Sequence, residues 1–248
     1  MSSYFFSDVH LGLADSSTER KKEDRLLGFL KHILPATDRL FLLGDLFDFW
    51  FEYRTVIPKG FHRTLAALQE FTDRGIPVHY MAGNHDFWMG KFFETELGMV
   101  LHFDPFEMEI EGKKIYFHHG DGLAKNDAGY RFIKPILRNR FNIGLFRWLH
   151  PDLGIRLARG SSRTSRQYTS HKHYGEEEGM IEYAQSQIRK GANIVMMGHR
   201  HKPNVVQLNG GSYVNLGDWI TYNTYAKLSG GRLELKTWNG QEGQPYGG

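Results

Sequence analysis

Five short motifs carry most of the chemistry this chain can offer. They are Asp8-Val-His10, Gly44-Asp45-Leu-Phe-Asp48, Gly83-Asn84-His85-Asp86, His118-His119-Gly120 and Gly198-His199-Arg200-His201. Each lies at the end of a short apolar run: Tyr4–Phe6, Arg39–Leu43, Ile76–Met81, Ile115–His119 and Ile194–Met197. Runs of this length read as buried strands. In open sheets, ligands gather beyond the carboxyl ends of strands. In extended backbone, residues i and i+2 point the same way, so Asp8 and His10 are expected to address one site, as are His199 and His201.

Gathered together, the candidate ligands are Asp8, His10, Asp45, Asn84, His119, His199 and His201. Oxygen and imidazole donors without sulfur favour Mn²⁺, Fe²⁺ or Zn²⁺ over copper or a purely oxygen-bound Ca²⁺. The chain has no cysteine, which excludes thiolate zinc sites, iron–sulfur clusters, disulfides and a cysteine nucleophile. Seven ligands are too many for one open catalytic zinc but suit two metals. With one carboxylate bridging, a pair ~3.5–4 Å apart can hold a hydroxide and grip a phosphoryl oxygen. Adjacent strand residues face opposite ways, so only one of His118 and His119 should face such a pair. Each residue alone has a plainer reading, as a hydrogen-bonded core histidine or a Gly-Asp turn. The joint pattern is what points to metals.

The elements that must position these residues alternate early in the chain. Helical patterns at Lys22–Leu34, stopped before Pro35, and Phe61–Arg74, closed by Gly75, separate the first strands and argue for βαβ units. Later runs, Phe106–Ile110, Val205–Leu208, Ser212–Leu216 and Leu233–Trp238, pair across Gly-rich turns and read as antiparallel strands. At 248 residues the chain is expected to form a single α/β domain, 1–248. The segment 124–175 has a mostly helical pattern between two strand-end motifs and reads as an insertion.

Net charge is only +3, yet ten Lys/Arg and one acid, Asp152, lie between Arg131 and Gly175. Such a patch points to an anionic partner: phosphate, nucleic acid or a membrane surface. Its cations are interleaved with Phe132, Ile136, Phe141, Leu145 and Trp148, a mixture fit to enclose acyl chains and rest on anionic lipid. The plainer reading is a helical hairpin with a solvated face. The N-terminus has no basic, apolar leader and no stretch is long enough to span a membrane, so peripheral membrane contact from the cytoplasm is expected.

In order and spacing, D-x-H, G-D-x-x-D, G-N-H-D, H-G and G-H-x-H resemble the calcineurin-like metallophosphoesterase superfamily over residues 4–219. The resemblance implies a four-layer α/β/β/α sandwich, with 124–175 as a helical cap. It implies one metal on Asp8, His10, Asp45 and His201, and a second on Asp45, Asn84, His119 and His199, with Asp45 bridging. It selects His119, directly before Gly-Asp, over His118. Mn²⁺ is the first expectation for both sites, with Fe²⁺ or Zn²⁺ as alternatives.

Within the superfamily the chain is most similar to UDP-2,3-diacylglucosamine hydrolases of lipid A biosynthesis. The similarity is carried by Gly44–Asp48, Gly83–Phe87, His119–Leu123, Asn126–Tyr130, Arg159–Ser165, Gly198–Pro203 and Leu216–Trp219. It implies cleavage of a nucleotide–sugar pyrophosphate to UMP and 2,3-diacylglucosamine 1-phosphate at the inner membrane, with Asp127, Tyr130, Arg159 and Ser162 contacting substrate. The best-known branch of those enzymes has Arg after the Asn, where this chain has His85, and a different acid at Asp48. His85 follows the wider superfamily, in which an Asp48–His85 pair would set a cation beside the leaving oxygen. Two other functions are possible on such a scaffold: a nuclease or nucleotide phosphodiesterase tracking nucleic acid with its basic segment, and a non-catalytic scaffold, which would be expected to have lost ligands this chain retains.

Overall fold

The computed structural model describes residues 2–123, 128–157, 160, 176–241 and 243–246. Alternation along each strand decides how the layers form. In β1 (Ser2–Phe6), Tyr4 and Phe6 face one way and Phe5 the other; in β2 (Thr37–Leu43), Leu40 and Leu42 oppose Phe41 and Leu43. Both faces are apolar, so both must be covered.

Helices α1 (Ser16–Ile33) and α2 (His62–Asp73) cover the first face through Leu26, Phe29, Leu30, Leu65 and Leu68. The second face meets another sheet, built on β6 (Lys113–Phe117) and β7 (Ile194–Met197). Phe5, Phe41, Leu43 and Met81 pack there against Ile115, Phe117, Ile194 and Met196. The Phe5–Phe41 and Phe41–Phe117 rings stack at 4.8 and 5.1 Å between centroids. On the far side of this second sheet, helix α6 (Glu176–Arg189) packs Met180, Ala184 and Ile188 against Val195, Met197 and Tyr213. The result is helix, sheet, sheet, helix, as the motifs implied.

Among the described residues one sheet has seven strands, ordered β12-β11-β10-β1-β2-β3-β4, and the other five, ordered β5-β6-β7-β9-β8. β3 is Val78–Met81, β4 Val100–His102, β5 Phe106–Ile110, β8 Asn204–Leu208, β9 Gly211–Asn215, β10 Thr224–Ser229, β11 Arg232–Thr237 and β12 Gln244–Pro245. The β1-β2-β3 and β6-β7-β9 sets are parallel. Their carboxyl ends therefore deliver the five motifs to the same rim of the sandwich.

Several boundaries differ from expectation. α1 starts six residues before Lys22, because Asp15 caps it by accepting from the Ser17 and Thr18 amides. β10, Thr224-Tyr-Ala-Lys-Leu-Ser229, pairs antiparallel with β1 although its polar residues do not alternate cleanly. β4 and the short helix α3 (Phe92–Thr95) also fall where no strong pattern exists.

Between β6 and β7 lie α4 (Ala128–Leu137), α5 (Arg140–Phe146) and a helical stretch at 151–157. Phe146 stacks near Phe51 and Trp88, and the Trp88 indole N–H donates to the Leu137 carbonyl at 2.9 Å. Phe132, Phe141 and Trp148 are 74%, 71% and 85% exposed, so this helical segment turns large apolar rings to solvent.

Candidate metal centre

The loops after the strands are tightly wound rather than extended. Asp8, His10, Asp45, His199 and His201 all have positive φ, between 50° and 69°, and they are five of the seven non-glycine residues so placed among the described residues. Left-handed backbone is costly for such side chains and is held only by strong surroundings. Asp8 and His10 do address one site, but through this strained winding and not the expected i, i+2 alternation. The loops hold each other: the Asp8 amide donates to Gly44 O at 3.1 Å and the His10 amide to Asp45 O at 3.0 Å. The His199 amide donates to Asp8 Oδ2 at 2.8 Å, joining the two sheets at the site. Gly44 sits at φ +86°, where a Cβ would lie 2.5 Å from His119 Nδ1; at Gly83 a Cβ would lie 2.0 Å from Asp45 Oδ1. Neither position has room for a side chain.

Two clusters result. Asp8, His10 and His201 form one, and Asp45, His119 and His199 the other, each with candidate ligand atoms within 4.8 Å of one another. Asp45 lies between them: its Oδ2 is 3.6 Å from His10 Nε2 and 3.2 Å from His119 Nε2. Asn84 Oδ1 is 3.0 Å from His119 Nε2, beside the second cluster. All seven candidate ligands are thus brought to one rim.

Surrounding groups orient the rings. His119 Nδ1–H donates to the Leu43 carbonyl at 2.7 Å, which leaves the Nε2 lone pair facing Asp45 and Asn84 oxygens. His10 Nδ1 lies 3.4 Å from Asp48 Oδ1, and His201 Nδ1 3.3 Å from Asp218 Oδ2. Their Nε2 atoms meet head-on at 3.2 Å. Lone pairs aimed at oxygens and at each other need a positive charge between them, and a carboxylate or carbonyl behind each imidazole is the usual support of a metal ligand. Asp8 Oδ1, fully buried, has no hydrogen-bond donor among the described residues. The donor set fits two divalent cations.

The electrostatics agree. Burial opposes ionisation of Asp45, but His119, His85 and His10 outweigh it and hold the carboxyl well below the usual range. Burial likewise opposes charge on His10 and His119, yet Asp48, Asp8 and Asp45 raise the first to about 9, and Asp45, Asp8 and Asp121 raise the second to about 10. His199 goes the other way, lowered to about 4 by burial and by His119, so the upward shifts are confined to His10 and His119.

His85 and Asp48 stand beside the first cluster. His85 Nδ1–H donates to the Asp48 backbone carbonyl at 3.1 Å, with Asp48 Oδ1 at 3.8 Å. The Asp48 carboxylate is nearer to His10 than to His85, so it serves both rings. His118 points away: its Nδ1 accepts from the Gly120 amide at 2.7 Å, its ring lies 5.4 Å from Tyr183, and burial lowers it to about 4. Asp127, Arg159 and Ser162 lie outside the described residues, and Tyr130 is described only by its place in α4.

Three supporting acids went unassigned at the level of sequence. Asp218, within Leu216–Trp219, backs His201. Asp86, fully buried and raised to about 6 by burial and by Asp45, accepts from the Leu46 and Gly83 amides and the Tyr80 hydroxyl, tying two ligand loops together. Asp121 pairs with Lys134 of α4 at 2.7 Å and with Arg138, the residue just after that helix, at 3.3 Å. Asp86 and Asp121 stood inside quoted motifs; only their partners were invisible.

The family model for calcineurin-like phosphoesterases matches residues 1–203. A UDP-2,3-diacylglucosamine hydrolase from Porphyromonas gingivalis is 32% identical over 257 residues, covering 96% of this chain and 98% of that protein. One from Yersinia pseudotuberculosis is 28% identical over 246 residues, covering 96% and 99%. Among solved structures, a doubly substituted Vps29 from Entamoeba histolytica superposes with a TM-score of 0.51 at 14% identity over the full length of both chains, a likeness of fold alone.

Proposed function

The chain belongs to the calcineurin-like phosphoesterase family, metal-dependent hydrolases, and from that premise we propose that it cleaves the pyrophosphate of UDP-2,3-diacylglucosamine to UMP and 2,3-diacylglucosamine 1-phosphate. The observation that carries the reading is the Asp45 carboxylate standing between two imidazole clusters. Asp8, His10, Asp45 and His201 would hold one cation, and Asp45, Asn84, His119 and His199 the other, with Mn²⁺ the best match to mixed oxygen and imidazole donors. Bound there, two such ions supply a nucleophile at neutral pH and neutralise charge on phosphoryl oxygens.

The chain's own residues do the rest. Water attacks the α-phosphorus, the bond to the bridging oxygen breaks, and the electron pair leaves with the sugar phosphate. His85 is tethered through Nδ1 to the Asp48 carbonyl, which leaves Nε2 available; as a cation it would donate a proton to that oxygen or stabilise its charge. By family correspondence Asp127, Tyr130, Arg159 and Ser162 would contact the substrate. A cleft of about 690 Å³ between Tyr53–Val56 and α5 includes no candidate ligand and is lined by Phe141, Leu145 and Trp148, which favours acyl chains on that side. Exposed Phe132 and Trp148 beside Arg131 and Arg147 favour peripheral contact with anionic lipid. Among the described residues no helix is long and apolar enough to cross a membrane.

The test is UMP release from UDP-2,3-diacylglucosamine by the purified chain with Mn²⁺. Activity should vanish with chelator and in Asp45→Ala, which removes the ligand common to both clusters. Hydrolysis by Asp45→Ala within tenfold of wild type, both metals still bound, would refute the assignment.

A further inference from the structure

The residues of α4 divide by face. Arg131, Lys134, Pro135 and Arg138 follow the i, i+3, i+4, i+7 spacing of one helical face. All four line a cleft of about 570 Å³ that runs to His119 of the second cluster, with Phe103 and Asp104 on its opposite lip. Phe132 and Ile136, on the other face, are exposed. The cleft thus offers cations, an acid and a half-exposed aromatic ring (45% for Phe103), whereas the outer face is apolar. Its volume lies within the ~300–1,000 Å³ range of small-molecule sites.

Its cations are built in rather than free. Lys134 and Arg138 both pair with Asp121, which is 3% exposed, and Arg138 also donates to the Gly83 carbonyl at 3.3 Å and lies over the Phe87 ring at 5.3 Å. One helix face is thereby clamped against the loop that carries Asn84. His119 is the candidate ligand that this cleft reaches, alongside His118, so a substrate held at the second cluster can extend one half into it.

We infer that this cleft takes the nucleotide half of the substrate, its phosphate toward the α4 cations and its base on Phe103. Base–aromatic stacking beside a cationic groove is the general chemistry of nucleotide capture, and Asp104 gives an acceptor suited to a ribose hydroxyl or the uracil N3–H. Acyl chains have a better-matched place in the cleft beside α5, which Phe141, Leu145 and Trp148 line. The inference rests on the reading of the substrate as a nucleotide-linked pyrophosphate and assigns its nucleotide half to the cleft under α4 and its acyl half to the cleft beside α5.

The experiment titrates the full chain, loaded with Mn²⁺, with UMP, inorganic phosphate and 2,3-diacylglucosamine 1-phosphate. Phe103→Ala should weaken UMP about tenfold, as expected for losing one stacked base, and shift phosphate and the acylated product less than twofold. Phe103→Tyr should restore UMP binding. In the chain loaded with diamagnetic Zn²⁺ instead of Mn²⁺, the uracil H6 resonance should move upfield on binding to wild type and not to Phe103→Ala. Unchanged UMP affinity in Phe103→Ala overturns the inference, as does an equal loss for phosphate or a loss confined to the acylated product. If UDP-2,3-diacylglucosamine is not cleaved while UMP still depends on Phe103, the substrate reading falls and the nucleotide cleft stands.

Discussion

Asp45 stands between two sets of imidazoles, and its surroundings hold it there. Gly44 and Gly83 press against it without side chains, the His85 amide donates to Oδ1 at 2.8 Å, and Oδ2 is left between His10 and His119. The neighbouring His118 and His119 then make a controlled pair. His119→Ala should cost activity and second-site metal together, whereas His118→Ala should cost mainly stability, since its ring bonds only within the fold; metal content and kcat of both variants check this, and the reverse ranking contradicts the ligand assignment. His85 is the sharper case. His85→Ala should lower kcat by ~10²–10⁴ with metal content unchanged. Asp48→Asn should lower kcat less but also weaken Mn²⁺ by ~10–100-fold, because Asp48 Oδ1 stands 3.4 Å from His10 Nδ1. If His85→Arg recovers most of the Ala loss, a fixed cation suffices; if it does not, proton donation or ring geometry matters, and the pH–rate profile separates the two.

Each parallel strand acts as an arm that ends at the site, so strand ends were where the ligands could be read from sequence. Asp and His following apolar runs in five places left little other interpretation. The support was not legible for a physical reason: Asp218 reaches His201, and Asp121 reaches α4, through contacts that no local pattern encodes. The winding at Asp8 and His10 was likewise hidden, because positive φ in a non-glycine residue has no compositional signal. β10 escaped because its partner, β1, lies more than 200 residues away. β3 carries a testable consequence of burial. His79 lies beneath Phe41, its Nδ1 3.0 Å from His102 Nε2, and burial with His102 and Arg39 nearby lowers it to about 4. The folded pKa is below the unfolded ~6.5, so the unfolded chain binds more protons between these values and stability falls as pH drops from about 6.5 toward 4. His79→Phe should flatten that decline. Urea midpoints of the metal-free protein at pH 7.5 and 5.5 measure it; parallel declines in both proteins would contradict the burial argument.

For the whole molecule, the two β-sheets hold the candidate metal ligands, while the helices within 128–157 face outward with both cations and exposed rings. Trp148→Ser with Phe132→Ser should weaken binding to vesicles containing anionic phospholipid by about tenfold or more, as removal of two inserted rings predicts. Added salt should weaken wild-type binding further. Sedimentation with vesicles checks both, and equal binding by the double variant would remove the segment from membrane contact. On the proposed function, the reaction would transfer water to one particular phosphorus, with the nucleotide on the cation-lined side of α4. Hydrolysis of UDP-2,3-diacylglucosamine in H₂¹⁸O with Mn²⁺, followed by mass spectrometry of both products, reads this directly. The label is predicted in UMP, with the acylated sugar phosphate unlabelled and with far slower release of UMP from UDP-N-acetylglucosamine, which lacks the two acyl chains. Label in the sugar phosphate, or no hydrolysis by protein carrying both metals, would contradict it.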